Sequence, residues 1–257
     1  MNIPSGLKRF LKKVLIRRKE LETFNLYGDS FTVVDISYRL GVRPTIRAIE
    51  HHGGKVFSSL IYLDDKYGHP YLRPVQAMIK AWGGKHEYRN ALVLGCAGCS
   101  LPRFIDEEYP SCAITGVEYA EKMIEIAKKY FLDGIDERFH LIHADAFEYV
   151  PTYQADPFDL IIVDLFQGKG LVKSIFTDDF LSHLKGICSE KALVVFNLST
   201  SVTQEEVSQY KTPLKKNFSS AALMQMWNSR FLALFPGKNS DDEVAAFKQK
   251  TAKILRL

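Results

Sequence analysis

The stretch VLGCAGCSLPRF, Val93–Phe104, decides how the rest of the chain is read. It opens on a short apolar run, passes through a turn of small residues and ends on helical spacing. Cys96 and Cys99 make it a C-x-x-C, the pattern of thiol redox and metal sites. Gly95, Ala97 and Gly98 equally make it a strand-to-helix cradle. Small side chains there let a ligand approach the backbone, and the helix start offers unpaired N–H groups.

The flanking pattern favours the cradle. Seven segments read as strands: ALVLG (91–95), CAITGVE (112–118), FHLIHAD (139–145), FDLIIVD (158–164), KALVVFNLS (191–199), SAALMQMW and RFLALFP. Helices SLPRFIDEEY, AEKMIEIAKKYF and FTDDFLSHLKGI alternate with them, and DDEVAAFKQKTAKILRL closes the chain as a further helix, with acids first and bases last. The alternation predicts an α/β fold with a Rossmann-like, doubly wound, mostly parallel seven-stranded sheet. Ligands bind such a sheet beyond the carboxyl ends of its strands, where the strand order reverses. Glu118, Asp145 and Asp164 end three successive strands and so share one sheet edge. A carboxylate at Glu118, a little over 20 residues beyond Gly95, can accept both hydroxyls of a ribose.

These acids have no role in thiol chemistry, and Cys112 and Cys188 are too isolated to complete a four-ligand zinc site. A lowered thiol pKa at the helix start stays open. The nicotinamide fingerprint G-x-G-x-x-G is poorly met, since its slots hold Gly95, Ala97 and Ser100. His51, His52, His140 and His143 are not at metal-ligand spacing, and no metal is assigned.

Upstream, residues 1–19 hold Lys8, Arg9, Lys12, Lys13, Arg17, Arg18 and Lys19 and no acid. The whole chain carries only +4, so the body is slightly acidic. Leu7, Phe10, Leu11, Val14 and Leu15 recur at helical spacing, which makes residues 1–20 a basic amphipathic arm. Its apolar stripe is expected to pack on its own body or on a second subunit. Contact of residues 7–19 with nucleic acid or an acidic membrane surface is the lesser reading. Residues 21–69, with FTVVDISY, the turn HHGG and KVFSSLIYL, read as a small antiparallel β domain. Residues 70–257 form the ligand-binding domain, opened by the helix PYLRPVQAMIKAWG (70–83). No apolar run reaches the roughly 18 residues of a membrane helix. The basic start lacks the apolar core of a secretory signal, so a cytoplasmic protein is expected.

The blocks LVLGCAGCSLPRF, ITGVEYAEKMIEIAKKYF, LIHADAFEYV, FDLIIVDLFQGKG and ALVVFNLS, in this order and spacing, resemble the spermidine synthase-like branch of class I S-adenosylmethionine-dependent transferases. PVQAMIKA resembles the family segment Y-Q-E-M. The resemblance implies the class I methyltransferase fold, a transferase activity and a homodimer. Gly95, Cys96, Ala97 and Gly98 would line the methionine part of the cofactor. Glu118 would hold the ribose, with Tyr119 beside it, and Asp145 with the Ala146 backbone would read the adenine amino group. Gln76 would reach the methionine or aminopropyl tail. Asp164 matches the first Asp of D-[ST]-[ST]-D-P, which orients and deprotonates the attacking amine. Phe166, Gln167, Gly168 and Lys169 would form the loop over a small-molecule acceptor.

Two departures matter. The aminopropyltransferase turn reads G-G-G-D-G-G, and the slot of its amine-binding Asp is Gly98 here; the slot of the second motif Asp is Gln167. Losing one charge-assisted hydrogen bond costs roughly 1.5–3 kcal/mol. Gly98 is expected to leave room and backbone N–H groups for a carboxylate. The reading is therefore a methyltransferase that takes S-adenosylmethionine and acts on an amine or other small nucleophile. The alternatives are an aminopropyltransferase using decarboxylated S-adenosylmethionine, or a non-catalytic nucleoside-binding scaffold. Nucleic-acid amines are disfavoured by the acidic body and by the absence of an Asn/Asp-Pro-Pro-Tyr motif.

Overall fold

The computed structural model describes residues 16–38, 45–51, 56–63, 72–84, 87–135, 137–167, 170–199, 202–226, 229–239 and 241–256. Strands β1 (Ile16–Leu26), β2 (Asp29–Tyr38), β3 (Ile46–His51) and β4 (Val56–Tyr62) form an antiparallel sheet in that order. Alternation gives it two apolar faces. Phe31, Val33, Ile49 and Ile61 turn one way, and Val34, Ala48 and Leu60 the other.

One boundary is corrected. Residues 16–20, assigned above to the basic arm, belong to β1, where Arg17, Arg18 and Lys19 lie opposite Ser37, Ile36 and Asp35 of β2. Cross-strand charge pairing explains the extension: Arg18 also reaches Glu50 of β3 at 2.7 Å. The helix expected on 7–15, the turn residues 52–55, and Gly168 and Lys169 of the acceptor loop lie outside the described residues.

The main body begins with α1 (Arg73–Gly83), which has Pro74 in its first turn. Strand β5 (Asn90–Leu94), α2 (Ser100–Glu108), β6 (Ala113–Glu118), α3 (Glu121–Tyr130), β7 (Phe139–His143), α4 (Ala146–Thr152) and β8 (Phe158–Val163) follow. A small ribbon, β9 (Phe166–Gln167) with β10 (Gly170–Leu171), leads through a 3-10 turn to α5 (Asp178–Gly186) and β11 (Cys188–Ser199). Helices α6 (Gln204–Gln209) and α7 (Lys211–Asn217), strands β12 (Ser220–Met226) and β13 (Ser229–Phe235), and α8 (Asp241–Arg256) complete it.

The seven strands run in the order β12-β13-β11-β8-β5-β6-β7. Neighbours from β11 to β7 are parallel, and β13 is antiparallel to both β11 and β12. The expected sheet is therefore present. Ala91–Leu94 and Leu160–Val163 are fully buried, as strands covered on both faces must be. The chain leaves β5 for β6 on one side and later returns to β8 on the other, so the switch point lies at the β5 carboxyl end. Helix α4 was not anticipated, and Pro151 sits inside it. The cap that starts it is Asp145, whose Oδ1 accepts from the Phe147 N–H at 2.8 Å.

The first sheet packs on the second through Phe24, Phe31, Ile49 and Ile61 against Met123, Ile126 and Phe131 at or just beyond α3. That contact sets the small sheet over the carboxyl edge of the large one.

Candidate active site

The turn after β5 is held by geometry that few residues tolerate. Gly95 has φ +84°, and a Cβ there would lie 2.3 Å from the Asp164 carbonyl oxygen. Ala97 and Cys99 also have positive φ, at 44° and 58°. Glu118 stabilises this backbone. Its Oε2 accepts the N–H groups of Cys96 at 3.0 Å and Ala97 at 2.9 Å, and its Oε1 accepts that of Ala120 at 3.0 Å. A carboxylate has about four acceptor sites. Three are used by backbone, so about one is left for a ribose hydroxyl.

The expectation for Gly98 is overturned. A Cβ on Gly98 would sit 2.7 Å from Ser59 Cβ and 3.2 Å from Ile49 Cδ1. Its N–H donates to Ser59 Oγ at 2.9 Å. Ser100 Oγ completes the latch, accepting from the Leu60 N–H at 3.2 Å and donating to the Leu60 carbonyl at 3.0 Å. The slot is thus filled by β4, and Gly98 offers neither room nor a free N–H.

The C-x-x-C lies in the buried core. Cys96 and Cys99 are buried free thiols. Burial first, then the Cys99 hydrogen bond and nearby acids, push the Cys96 thiol well above its ordinary pKa. For Cys96 the lowered pKa left open above is contradicted. A Cβ on Gly116 would meet Cys96 Sγ at 2.7 Å, so a side chain at Gly116 would have to displace the thiol.

Between the two sheets lies a cavity of about 650 Å³. Gly95, Cys96, Ala97, Glu118, Tyr119, Asp145, Ala146, Asp164, Phe166 and Gln167 line it. Gly98 and Gln76 are not among its lining residues. Gln76 lies on α1, with its Nε2 buried and without a hydrogen-bond partner. The opposite wall comes from the small sheet: Tyr27, Phe31, His51, Phe57, Ser58 and Ser59. His51 is buried there, stacked on Phe31 with centroids 4.3 Å apart and 3.2 Å from Asp29 Oδ2. Sequence reasoning missed this wall, because nothing local marks a strand that docks on a distant turn.

Asp164 follows β8 at the sheet edge, where burial pushes its carboxyl up to about 6. Asn197 on β11 opposes that shift by donating Nδ2 to Asp164 Oδ1 at 2.8 Å. Asn197 was also missed, although one polar residue in VVFNLS at the same sheet edge was a legible signal. Among the described lining residues the charged side chains are Glu118, Asp145 and Asp164, with no Lys or Arg. Such a wall suits a cationic ligand. A nucleoside carrying a sulfonium fits it, and the remaining acceptor site of Glu118 fits a ribose hydroxyl.

Strand order and strand-end acids together define a Rossmann-like fold of the S-adenosylmethionine-type transferases. Residues 78–231 match the spermine/spermidine synthase domain, more than half of the chain, and the chain belongs to that family. It is 28% identical over 174 residues to the polyamine aminopropyltransferase of Chromobacterium violaceum, covering 62% of this chain and 66% of that one. It is 31% identical over 118 residues to the eEF1A lysine and N-terminal methyltransferase homolog of Drosophila melanogaster, covering 43% of this chain and 18% of that protein. The chain therefore spans less than two thirds of the length of these relatives. A probable spermidine synthase from Corynebacterium glutamicum shares the fold with TM-score 0.72 at 18% identity, covering 90% of this chain and 86% of that one. Among the described residues no helix is long and apolar enough to cross a membrane.

Proposed function

We propose that the chain transfers a methyl group from S-adenosylmethionine to an amine. The observation that carries this reading is the Ser59–Gly98 contact. The aminopropyltransferase pattern, as described above, places at this point of the turn the carboxylate that grips the amine of the decarboxylated cofactor. Here β4 fills the place with a neutral hydroxyl, and no Asp can enter without displacing it. The other missing Asp is Gln167, on the cavity wall.

S-adenosylmethionine, when bound, supplies an electrophilic methyl on a sulfonium. The chain aligns the nucleophile and excludes water. Glu118, Asp145 and Asp164 attract a cationic amine and stabilise positive charge at the reacting edge. In this reading Asp164 accepts a proton from the amine nitrogen. With a pKa of about 6 it is ionised at neutral pH.

One observation favours the competing aminopropyl reading: the described wall holds no Lys or Arg for a methionine carboxylate. Calorimetric binding of S-adenosylmethionine beside its decarboxylated form decides between them. Tighter binding of the intact form, with methyl transfer to a polyamine or peptide amine, is expected. Tighter binding of the decarboxylated form overturns the proposal, and binding without turnover on any amine points to a nucleoside-binding scaffold.

A further inference from the structure

The two-residue turn between β1 and β2 is Tyr27–Gly28, flanked by the Leu26–Asp29 pair. Both turn residues have positive φ, 54° and 81°, the pattern of a type I′ turn. Glycine, asparagine or aspartate normally takes the first of these positions, because a Cβ crowds the backbone in the left-handed region. A tyrosine there breaks the local rule. Such exceptions concentrate where a side chain is needed for something other than folding.

The Tyr27 side chain is 45% exposed and lines the cavity mouth. Its ring is near-parallel to that of Tyr119, which is 61% exposed, with 6.4 Å between centroids and 19° between planes. These are two of the four exposed large hydrophobic side chains among the described residues, and they meet each other over one opening. Burial, and then the nearby charges of Glu118 and Asp145, push the pKa of the Tyr27 phenol up. Tyr119 directly follows Glu118, so its ring borders the place where a ribose on Glu118 would carry its base. A purine has two apolar π-faces and a polar edge. Aromatic side chains hold the faces and strand-end polar groups read the edge.

We propose that Tyr27 is a nucleoside-binding residue: with Tyr119 it forms an aromatic wall against the base, so that the small N-terminal sheet contributes directly to cofactor affinity. This rests on the reading of the cavity as an adenosine-cofactor site, whichever group is transferred. The strain at Tyr27 then separates binding from folding. Replacing Tyr27 by glycine relieves the left-handed backbone and removes the ring.

The test is calorimetric binding of S-adenosylhomocysteine, with thermal unfolding of the unliganded protein, for wild type, Tyr27→Gly, Tyr27→Phe and Glu118→Ala. Base–aromatic stacking is worth about 5- to 150-fold in affinity. Tyr27→Gly is expected to lose affinity within that range while its Tm stays level or rises. Tyr27→Phe should bind within about twofold of wild type. Unchanged affinity in Tyr27→Gly overturns the assignment, as does a fall in both affinity and Tm, which would make Tyr27 a packing residue. If Tyr27→Gly binds normally while Glu118→Ala does not, the cofactor reading stands and Tyr27 alone is misassigned. If wild type binds neither this nucleoside nor decarboxylated S-adenosylmethionine, both fall together.

Discussion

Asn197 donates its side-chain amide to Asp164 Oδ1 at 2.8 Å, joining the ends of two adjacent parallel strands. Burial raises the Asp164 carboxyl and this hydrogen bond lowers it, and the balance leaves the pKa at about 6. If the ionised form accepts the acceptor proton, activity rises with pH through about 6. Removing the hydrogen bond in Asn197→Leu should move that rising limb to higher pH. A pH–rate profile of both proteins checks the direction. An unmoved limb would mean that another group sets it.

Asp164→Asn should uncouple stability from activity. The folded pKa lies above the unfolded value, so the folded chain binds this proton more tightly. The stabilisation is complete below about pH 4 and is lost as pH rises through about 6. A neutral amide avoids that loss. The variant should gain about 2–3 kcal/mol at pH 7.5 in urea unfolding, with turnover down about 10²–10⁴-fold. Full turnover in the variant would end the role given to Asp164.

Gly98→Asp should be destabilised by about 1–3 kcal/mol through overpacking against Ser59. Adding Ser59→Gly opens the space and should restore part of that loss. The double variant should also shift affinity toward decarboxylated S-adenosylmethionine. Calorimetry on single and double variants reads this, and equal destabilisation in both would mean that Ser59 is not what closes the slot.

Glu118→Gln exchanges an acceptor oxygen for an NH₂ group. At least one of the Cys96, Ala97 and Ala120 amides loses its partner. Faster hydrogen exchange at these amides should accompany weaker cofactor binding. Weakened binding with unchanged exchange would assign Glu118 to the ligand alone.

The thiols of Cys96 and Cys99 should be slow. A water-soluble disulfide reagent should label neither in the native protein within the time that it labels both in urea, because both are buried and the Cys96 thiol is pushed upward. Rapid native labelling with loss of activity would reopen the redox reading.

What could be read from the chain was whatever is local and repeated. ALVLG and FDLIIVD announce buried parallel strands, and Glu118, Asp145 and Asp164 fall at strand ends because strand length and apolar content place them there. What could not be read depends on partners far apart in sequence. Ser59 meets Gly98 across 39 positions and Asn197 meets Asp164 across 33. No periodicity encodes either contact. Arg17, Arg18 and Lys19 were legible as charge but not as strand residues, because their place in β1 is set by pairing with β2. Helix α4 went unread: it is a short element with Pro151 inside it, begun by the Asp145 cap.

The latch of Ser59, Gly98 and Ser100 has a consequence for how the molecule is assembled and taken apart. The backbone of the turn after β5 is complete only after a strand made earlier in the chain has docked on it. A fragment starting near residue 70 would leave the Gly98 N–H and the Ser100 hydroxyl without these partners. It would also expose the Ile126 and Phe131 surface that the small sheet covers. Such a fragment should aggregate or bind poorly, although it carries nearly every family motif. In the whole chain the two sheets should melt in a single cooperative transition, with no temperature at which the large sheet survives alone with a working turn.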